Sequence, residues 1–222
     1  MTPRPLALTV AVAGLLAVAP AASAATLTTD TRCYQENGEV VLNGAGYAPQ
    51  STVTVTRDGA ALGSATTDDN GAFQRKFVTP ELSGVKEAVY SLIATDQQQN
   101  AATTRYRSTK VFADFSPGSG NPRRLRVRFT VNGFGLARAQ ASVYLHYVRK
   151  GSSHVTRTIR LGTARGTCGV IRQTKLRRLF PFAPSRGTWI LQFDTFKRYE
   201  RATSKRTTPW VRKPVEVFTR KR

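Results

Sequence analysis

The sequence predicts an all-β protein made of two antiparallel β-sandwiches in tandem. Both halves of the chain contain short runs rich in β-branched and aromatic residues, which are typical of strands. Gly, Asn, Asp and Pro recur between these runs and indicate turns. Only residues 171–179 (IRQTKLRRL) have a pattern compatible with a short helical turn. Regularly spaced short strands with turns between them favour sandwiches.

The first 24 residues have the composition of a cleaved secretory signal peptide. Arg4 supplies a positive charge, residues 6–19 form an uncharged apolar run, and Ala-Ser-Ala at 22–24 provides a small-x-small cleavage site. A membrane anchor is the alternative, but spanning a bilayer needs roughly 20 apolar residues. We therefore expect cleavage before Ala25 and a secreted, extracellular or envelope-associated chain without a transmembrane segment.

The first predicted domain spans residues 25–115. Asp58-Gly59 and Asn70-Gly71 predict hairpin turns, because Asn, Asp and Gly tolerate positive φ angles. Calcium binding is the alternative for residues 68–71 (DDNG), but the later bidentate Glu of a calcium loop is absent from the sequence that follows. The predicted strands are 39–43 (EVVLN), 52–57 (TVTVTR), 72–78 (AFQRKFV) and 89–95 (VYSLIAT).

The second predicted domain spans residues 116–222. It opens with the turn-rich stretch 116–122 (SPGSGNP), whose composition is typical of a linker or long loop. The predicted strands are 125–131 (LRVRFTV), 141–149 (ASVYLHYVR), 155–162 (VTRTIRLG), 188–196 (TWILQFDTF) and 215–219 (VEVFT).

Two short motifs recur in both halves. Residues 42–48 (LNGAGYA) are echoed by 131–137 (VNGFGLA), and 90–96 (YSLIATD) by 189–194 (WILQFD). An internal repeat is the economical explanation, so each half is expected to be one copy of the same sandwich.

The first half resembles the bacterial immunoglobulin-like repeats of secreted and surface proteins. The resemblance covers about residues 26–114 and rests on NGAGYAP, VTVTRDG, GSATTDDNGAF and YSLIATD. It implies two antiparallel immunoglobulin-like β-sandwich domains in tandem after a signal peptide. The second half departs from the pattern through an insertion at 166–184. These motifs mark a fold and do not identify a ligand.

The two cysteines, Cys33 and Cys168, are predicted to form a disulfide if their geometry allows it. An even number of cysteines in an exported chain favours pairing. The alternative is two buried thiols that act as small apolar side chains.

Charge divides the chain sharply. Residues 25–115 contain 8 Lys and Arg against 10 Asp and Glu, whereas residues 116–222 contain 25 against 3. Most cations of the second half therefore cannot be neutralised within it. Such a field attracts polyanions. The alternative is compositional drift, since Arg outnumbers Lys by 25 to 9, together with a simple need for solubility.

The candidate binding residues lie in two basic stretches. Side chains alternate across a strand, so residues 124–129 (RLRVRF) are expected to display three arginines on one face and bury the residues between them. The predicted polyanion-binding residues are Arg124, Arg126, Arg128, Arg172, Lys175, Arg177 and Arg178.

Catalysis and metal binding have little support in the sequence. Motifs for a nucleophile elbow, a zinc protease helix and a phosphate loop are missing, so neither catalytic residues nor a cofactor are predicted. A hairpin centred on Lys150 would place His146 opposite His154, but two ligands, even with Asp194 as a distant third, are too few to predict a metal site.

We expect a non-enzymatic, cell-surface or secreted binding module. Its basic domain would adhere to an anionic polymer, either an envelope phosphate polymer or an acidic glycan. Nucleic acid is not the expected partner, because the chain is exported and lacks nucleic-acid-binding motifs. The alternatives are an extracellular hydrolase with a carboxylate pair such as Asp194 and Glu200, and a structural subunit of a surface assembly.

Overall fold

A computed structural model describes residues 24–205 and 207–218. Residues 1–23, which carry nearly all of the predicted signal peptide, lie outside the described residues. The described part is all-β and contains no helix, in agreement with the predicted fold class. It accordingly has no helix of the length and apolarity that crossing a bilayer requires.

The first sandwich contains eight strands in two sheets. One sheet has the order β1-β3-β6 and the other β2-β8-β7-β4-β5, with antiparallel pairing throughout except for the parallel pair β2 and β8. The strands are β1 (Thr26–Thr29), β2 (Cys33–Gln35), β3 (Glu39–Ala45), β4 (Thr52–Arg57), β5 (Ala60–Thr66), β6 (Phe73–Val78), β7 (Glu87–Thr95) and β8 (Ala101–Thr109).

The second sandwich repeats this topology without a counterpart of β2. Strand β10 pairs with β9 on one side and with β13 and β14 on the other, and the second sheet has the order β12-β11-β15-β16. The strands are β9 (Phe112–Ser116), β10 (Arg126–Asn132), β11 (Ser142–Arg149), β12 (Val155–Thr163), β13 (Ile171–Arg172), β14 (Arg177–Arg178), β15 (Gly187–Asp194) and β16 (Val211–Val217). The predicted repeat matches this duplication, because one motif spans the ends of β3 and β10 and the other lies at the ends of β7 and β15.

Each sandwich has its own core. The first includes Val40, Leu42, Val53, Leu92 and Tyr106, and the second includes Phe129, Leu145, Tyr147, Leu191 and Phe193, all at most 1% exposed. These residues alternate along their strands, so burying one face of each sheet fixes the register.

Strand β9 belongs to the second sandwich. Ala113 and Phe115 pack in the second core, and β9 pairs with β10 from Phe112 to Ser116. The sequence assigned these residues, up to Phe115, to the first half. The structure places them in the second sandwich because their alternating apolar side chains are buried in its core.

The short helical turn with which the pattern at residues 171–179 is compatible does not form. Ile171–Arg172 and Arg177–Arg178 instead pair with β10, and four residues arch out between them. Ile171 and Leu179 are buried in the second core. Pairing with β10 gives the backbone N–H and C=O groups at both ends of the segment hydrogen-bond partners, and it buries Ile171 and Leu179. Together these gains exceed the weak helix propensity of the segment.

One of the two predicted hairpins forms. Asp58 and Gly59 have φ angles of 48° and 84° and connect the paired strands β4 and β5. The second prediction is wrong in its connection, because Asn70 and Gly71 join β5 to β6, which lie in different sheets. The Asp68 carboxylate accepts the amides of Asn70 and Ala72 and shapes this turn.

The predicted disulfide between Cys33 and Cys168 is present, with Cα atoms 5.4 Å apart. It joins β2 of the first sandwich to the turn that precedes β13 in the second. The Asn132 side-chain amide also donates to the Thr109 hydroxyl at 2.8 Å. The two sandwiches are therefore linked covalently and by a buried hydrogen bond.

Candidate functional site

Strand β10 carries the first part of the candidate site. Val127 and Phe129 are fully buried, while Arg126 and Arg128 are exposed. The predicted alternation is therefore confirmed for these residues. Arg124 is also exposed, but it lies in the turn before the strand.

Strands β13 and β14 bring two more cations to the same surface. Arg178 lies opposite Arg126 in the register, and Arg172 lies opposite Thr130. Residues directly opposite in an antiparallel pair project from the same face. We call the surface formed by Arg126, Arg128, Arg172 and Arg178 the basic face.

Two of these arginines hold the segment that arches out between β13 and β14. Arg126 donates to the Leu176 carbonyl at 3.3 Å, and Arg128 donates to the Thr174 carbonyl at 3.0 Å. Lys175 lies between these two anchored residues and is exposed. These two hydrogen bonds fix the position of residues 173–176, which form neither a strand nor a helix.

Arg177 is not part of the basic face. It lies opposite the buried Val127 in the register, and its guanidinium donates to the Arg160 carbonyl of β12 at 3.4 Å. Its alternation with Arg178 sends the two side chains in opposite directions. Arg177 thus contacts the edge of the other sheet.

The basic face has no acidic partner in the described residues. None of its four arginines forms an ion pair there. Asp114 lies opposite Thr130 across β9 and β10, but its carboxylate pairs with Lys213. Burial opposes ionisation of Asp114, but hydrogen bonds from Lys213 and the Phe115 amide hold its pKa below the ordinary value.

The two histidines do not face each other. His146 lies opposite Thr158, because the β11–β12 turn is longer than a hairpin centred on Lys150 would be, and His154 is exposed in that turn. The described residues contain no group of three potential metal ligands. The geometry on which a shared metal depended is therefore absent.

His146 belongs to a buried polar network on the outer side of the second sheet. Its Nδ1 lies 2.8 Å from the Thr158 hydroxyl, and its Nε2 lies 3.2 Å from Asp194 Oδ1. Gln192 and the Phe196 amide also donate to Asp194. Burial would raise the pKa of Asp194, but these hydrogen bonds lower it.

The network bears on the alternative of a hydrolase. His146 and Asp194 are fully buried. A general acid or base must reach the substrate within hydrogen-bonding distance. In this arrangement the enclosed Asp194 carboxylate binds His146, Gln192 and the Phe196 amide.

One group of cations was not assigned to a site from the sequence. Arg149, Lys150, Arg201 and Arg212 line a single cavity of about 530 Å³. They come from a strand end, a turn, a loop and another strand. No spacing in the sequence would have grouped them.

Comparisons with known proteins give weak structural matches alone. No family model and no curated protein matches the chain. The human OSCAR ligand-binding domain aligns with 87% of this chain and 97% of its own, at 12% identity and a TM-score of 0.34.

Two further β proteins are similar at the same level. A tetra-tandem repeat from the extending region of a large adhesion protein aligns with 87% of this chain and 48% of its own, at 14% identity and a TM-score of 0.29. A CARDB domain from Pyrococcus furiosus aligns with 39% of this chain and 91% of its own, at 17% identity and a TM-score of 0.29. At these identities and TM-scores the matches establish neither a family nor a function for this chain, and its sandwich architecture is read from its own strand pairing.

Proposed function

We propose that this protein is an exported, non-enzymatic binding module that adheres to an anionic polymer through the basic face of its second sandwich. The polymer is an envelope phosphate polymer or an acidic glycan. The observation that carries the proposal is the convergence of Arg126, Arg128, Arg172 and Arg178 on one sheet surface without acidic partners among the described residues.

The geometry suits a flexible polyanion. Arg126 and Arg128 project from one strand, and Arg178 and Arg172 project beside them from the neighbouring strands. The arginines therefore form two short rows that several anionic groups of one chain could contact together. Guanidinium groups bind phosphate and carboxylate through paired hydrogen bonds.

Substitution of Arg172 and Arg178 tests the proposal. These two arginines of the basic face make no side-chain hydrogen bond among the described residues. Arg172→Gln with Arg178→Gln removes two charges and leaves the anchoring contacts of Arg126 and Arg128 intact. We expect affinity of the full chain for polyphosphate or polygalacturonate to fall about thirtyfold, at about 1 kcal/mol for each of the two cations near an anionic surface. Biolayer interferometry with immobilised polymer measures this decrease.

The matched control is Arg105→Gln with Arg138→Gln, two exposed arginines of which one lies on β8 of the first sandwich and the other in the loop after β10 of the second. It makes the same change in net charge. Equal weakening by both double variants would show diffuse attraction to the whole molecule and contradict a role for the basic face. Preference for polyphosphate over polygalacturonate, or the reverse, would choose between the two polymer classes.

A further inference from the structure

A second basic site lies on the other side of the second sandwich. A cavity of about 530 Å³ opens between the β11–β12 turn and the segment that follows β15. Ile190 of β15 and Arg212 of β16 line it together with the turn. Cavities of roughly 300 to 1,000 Å³ hold small organic ligands.

Three cationic side chains reach this cavity from different directions; the fourth cation on its border, Arg149, lies opposite the buried Trp189 and donates to the Arg186 carbonyl. Arg149 ends β11, Lys150 begins the turn, Arg201 lies on the covering segment and Arg212 lies on β16. None of the four forms an ion pair with an acidic side chain in residues 24–205 or 207–218. No carboxylate of the described chain lines the cavity. The cavity is therefore strongly positive.

Arg212 supplies the most specific observation. It lies opposite the fully buried Gln192, so it leaves the sheet on the side that the segment after β15 covers. Its Nε is buried and has no hydrogen-bond partner in the described protein. A buried N–H of a charged group without an acceptor is costly. Part of the Arg212 charge therefore lies out of water beside the cavity, where its attraction for an anion is stronger than in water.

The remaining lining groups suit a polar ligand body. The Tyr199 ring stacks at a tilt on His146, with ring centroids 5.5 Å apart, and its position on the cavity wall is thereby fixed. Ser152 and Ser153 bring hydroxyl and backbone groups from the turn. An aromatic ring beside hydroxyl groups is a surface on which a sugar or polyol can pack and hydrogen-bond.

We infer that this cavity binds one phosphate ester carried on a sugar-sized or polyol-sized group. Cations arriving from the turn, the covering segment and the strand can surround an oxyanion with several oxygens. A carboxylate offers two oxygens in one plane and a single charge, whereas a phosphate monoester carries about −1.5 to −2 at pH 7. The cavity exceeds the size of a phosphate group, which leaves room for the attached unit.

This site is separate from the basic face and does not rest on the proposed function. The basic face lies on the outer side of the β9-β10-β13/β14 sheet, and the cavity lies on the outer side of the opposite sheet. If the polymer is a phosphate polymer, the cavity would hold one repeat unit of it or its terminal unit.

Calorimetric titration of the full chain with glucose 6-phosphate tests the inference. We expect saturable binding, little or no binding of glucose, and weaker binding of glucuronate. Arg201→Gln and, separately, Arg212→Gln should each weaken glucose 6-phosphate binding by about tenfold, as expected for one charge-assisted hydrogen bond. Amide resonances of Gly151, Ser152 and Ser153 should shift on titration.

The basic-face variant Arg172→Gln with Arg178→Gln is the control and should bind glucose 6-phosphate as the wild type does. Arg201 is exposed and makes no side-chain hydrogen bond among the described residues, so its variant tests the site even if Arg212→Gln fails to fold. Absence of binding, equal binding of glucuronate, or unchanged affinity in the Arg201 variant would overturn the inference. If the basic-face variant binds polymer more weakly but glucose 6-phosphate as before, the inference about the cavity is supported.

Discussion

At the scale of single residues, two buried aspartates mark the same position in the two sandwiches. Asp96 follows β7 and Asp194 ends β15, and these strands correspond in the repeated topology. Asp96 accepts the amides of Ala48, Gln98 and Asn100, each at 2.9 Å. The carboxylate thus fastens the loop after β3 to the turn after β7.

Stability of the first sandwich should depend on the ionisation of Asp96. Burial opposes the charge, but the hydrogen bonds from Ala48, Asn100 and Gln98 lower its pKa. Because the native pKa lies below the unfolded value, the stabilisation is complete above the unfolded pKa and disappears as pH falls through the native one.

The variant Asp96→Asn should therefore be destabilised at pH 7 by about 1.5 to 3 kcal/mol, the range for hydrogen bonds to charged groups. The difference from the wild type should shrink as pH falls below about 4. Urea unfolding at a series of pH values measures it. A difference that stays constant with pH would show that the charge of Asp96 contributes nothing.

At the scale of elements, β2 connects the two sandwiches. It pairs in parallel with β8, and its first residue, Cys33, is bonded to Cys168 of the second sandwich. The bond closes a loop with a sequence separation of 135. A long closed loop restricts the unfolded chain strongly.

Replacing both cysteines by serine should lower the free energy of unfolding by up to about 5 kcal/mol, on the chain-entropy account of cross-links. Removing the bond should also let the sandwiches unfold in separate transitions. Differential scanning calorimetry of the double variant and of the oxidised wild type shows both effects. A single unshifted transition would mean that noncovalent interactions alone, such as Asn132 with Thr109, couple the sandwiches.

Strands were predicted well where local pattern and burial agree. Residues 52–57 (TVTVTR) alternate cleanly, and β4 has the predicted bounds. Strand β5 (AALGSAT) was missed because small residues and a glycine carry little strand signal, and its side chains are mostly exposed. Its place is set by pairing with β4.

At the scale of the whole molecule, charge is segregated between the sandwiches. The chain has a formal net charge of +21, and nearly all of the excess lies beyond residue 116. The basic face and the phosphate cavity lie on opposite outer sides of the second sandwich. One molecule could then contact polymer on one side and a separate phosphate group on the other.

Salt dependence should report how many anionic groups the basic face neutralises. Binding to polyphosphate should weaken linearly on a plot of log affinity against log salt, because counterions are released on binding. The slope should become shallower by about two in Arg172→Gln with Arg178→Gln, because each substitution leaves one phosphate without its cation. Affinity measurements at several salt concentrations give the slope. An unchanged slope would place the polymer elsewhere on the molecule.

Sequence alone was enough for the all-β class, the repeat and the outward direction of Arg126 and Arg128, and it left Cys33 with Cys168 as the one possible disulfide, whose formation depended on the geometry. These follow from local alternation, turn chemistry and a count of two cysteines, which are encoded over short stretches of chain. Folding in three dimensions determined that Arg172 and Arg178 join β10 while Arg177 points elsewhere, that His146 contacts Asp194, and that Lys150, Arg201 and Arg212 border one cavity. Those outcomes depend on long-range strand pairing and burial, which no short stretch of sequence specifies alone.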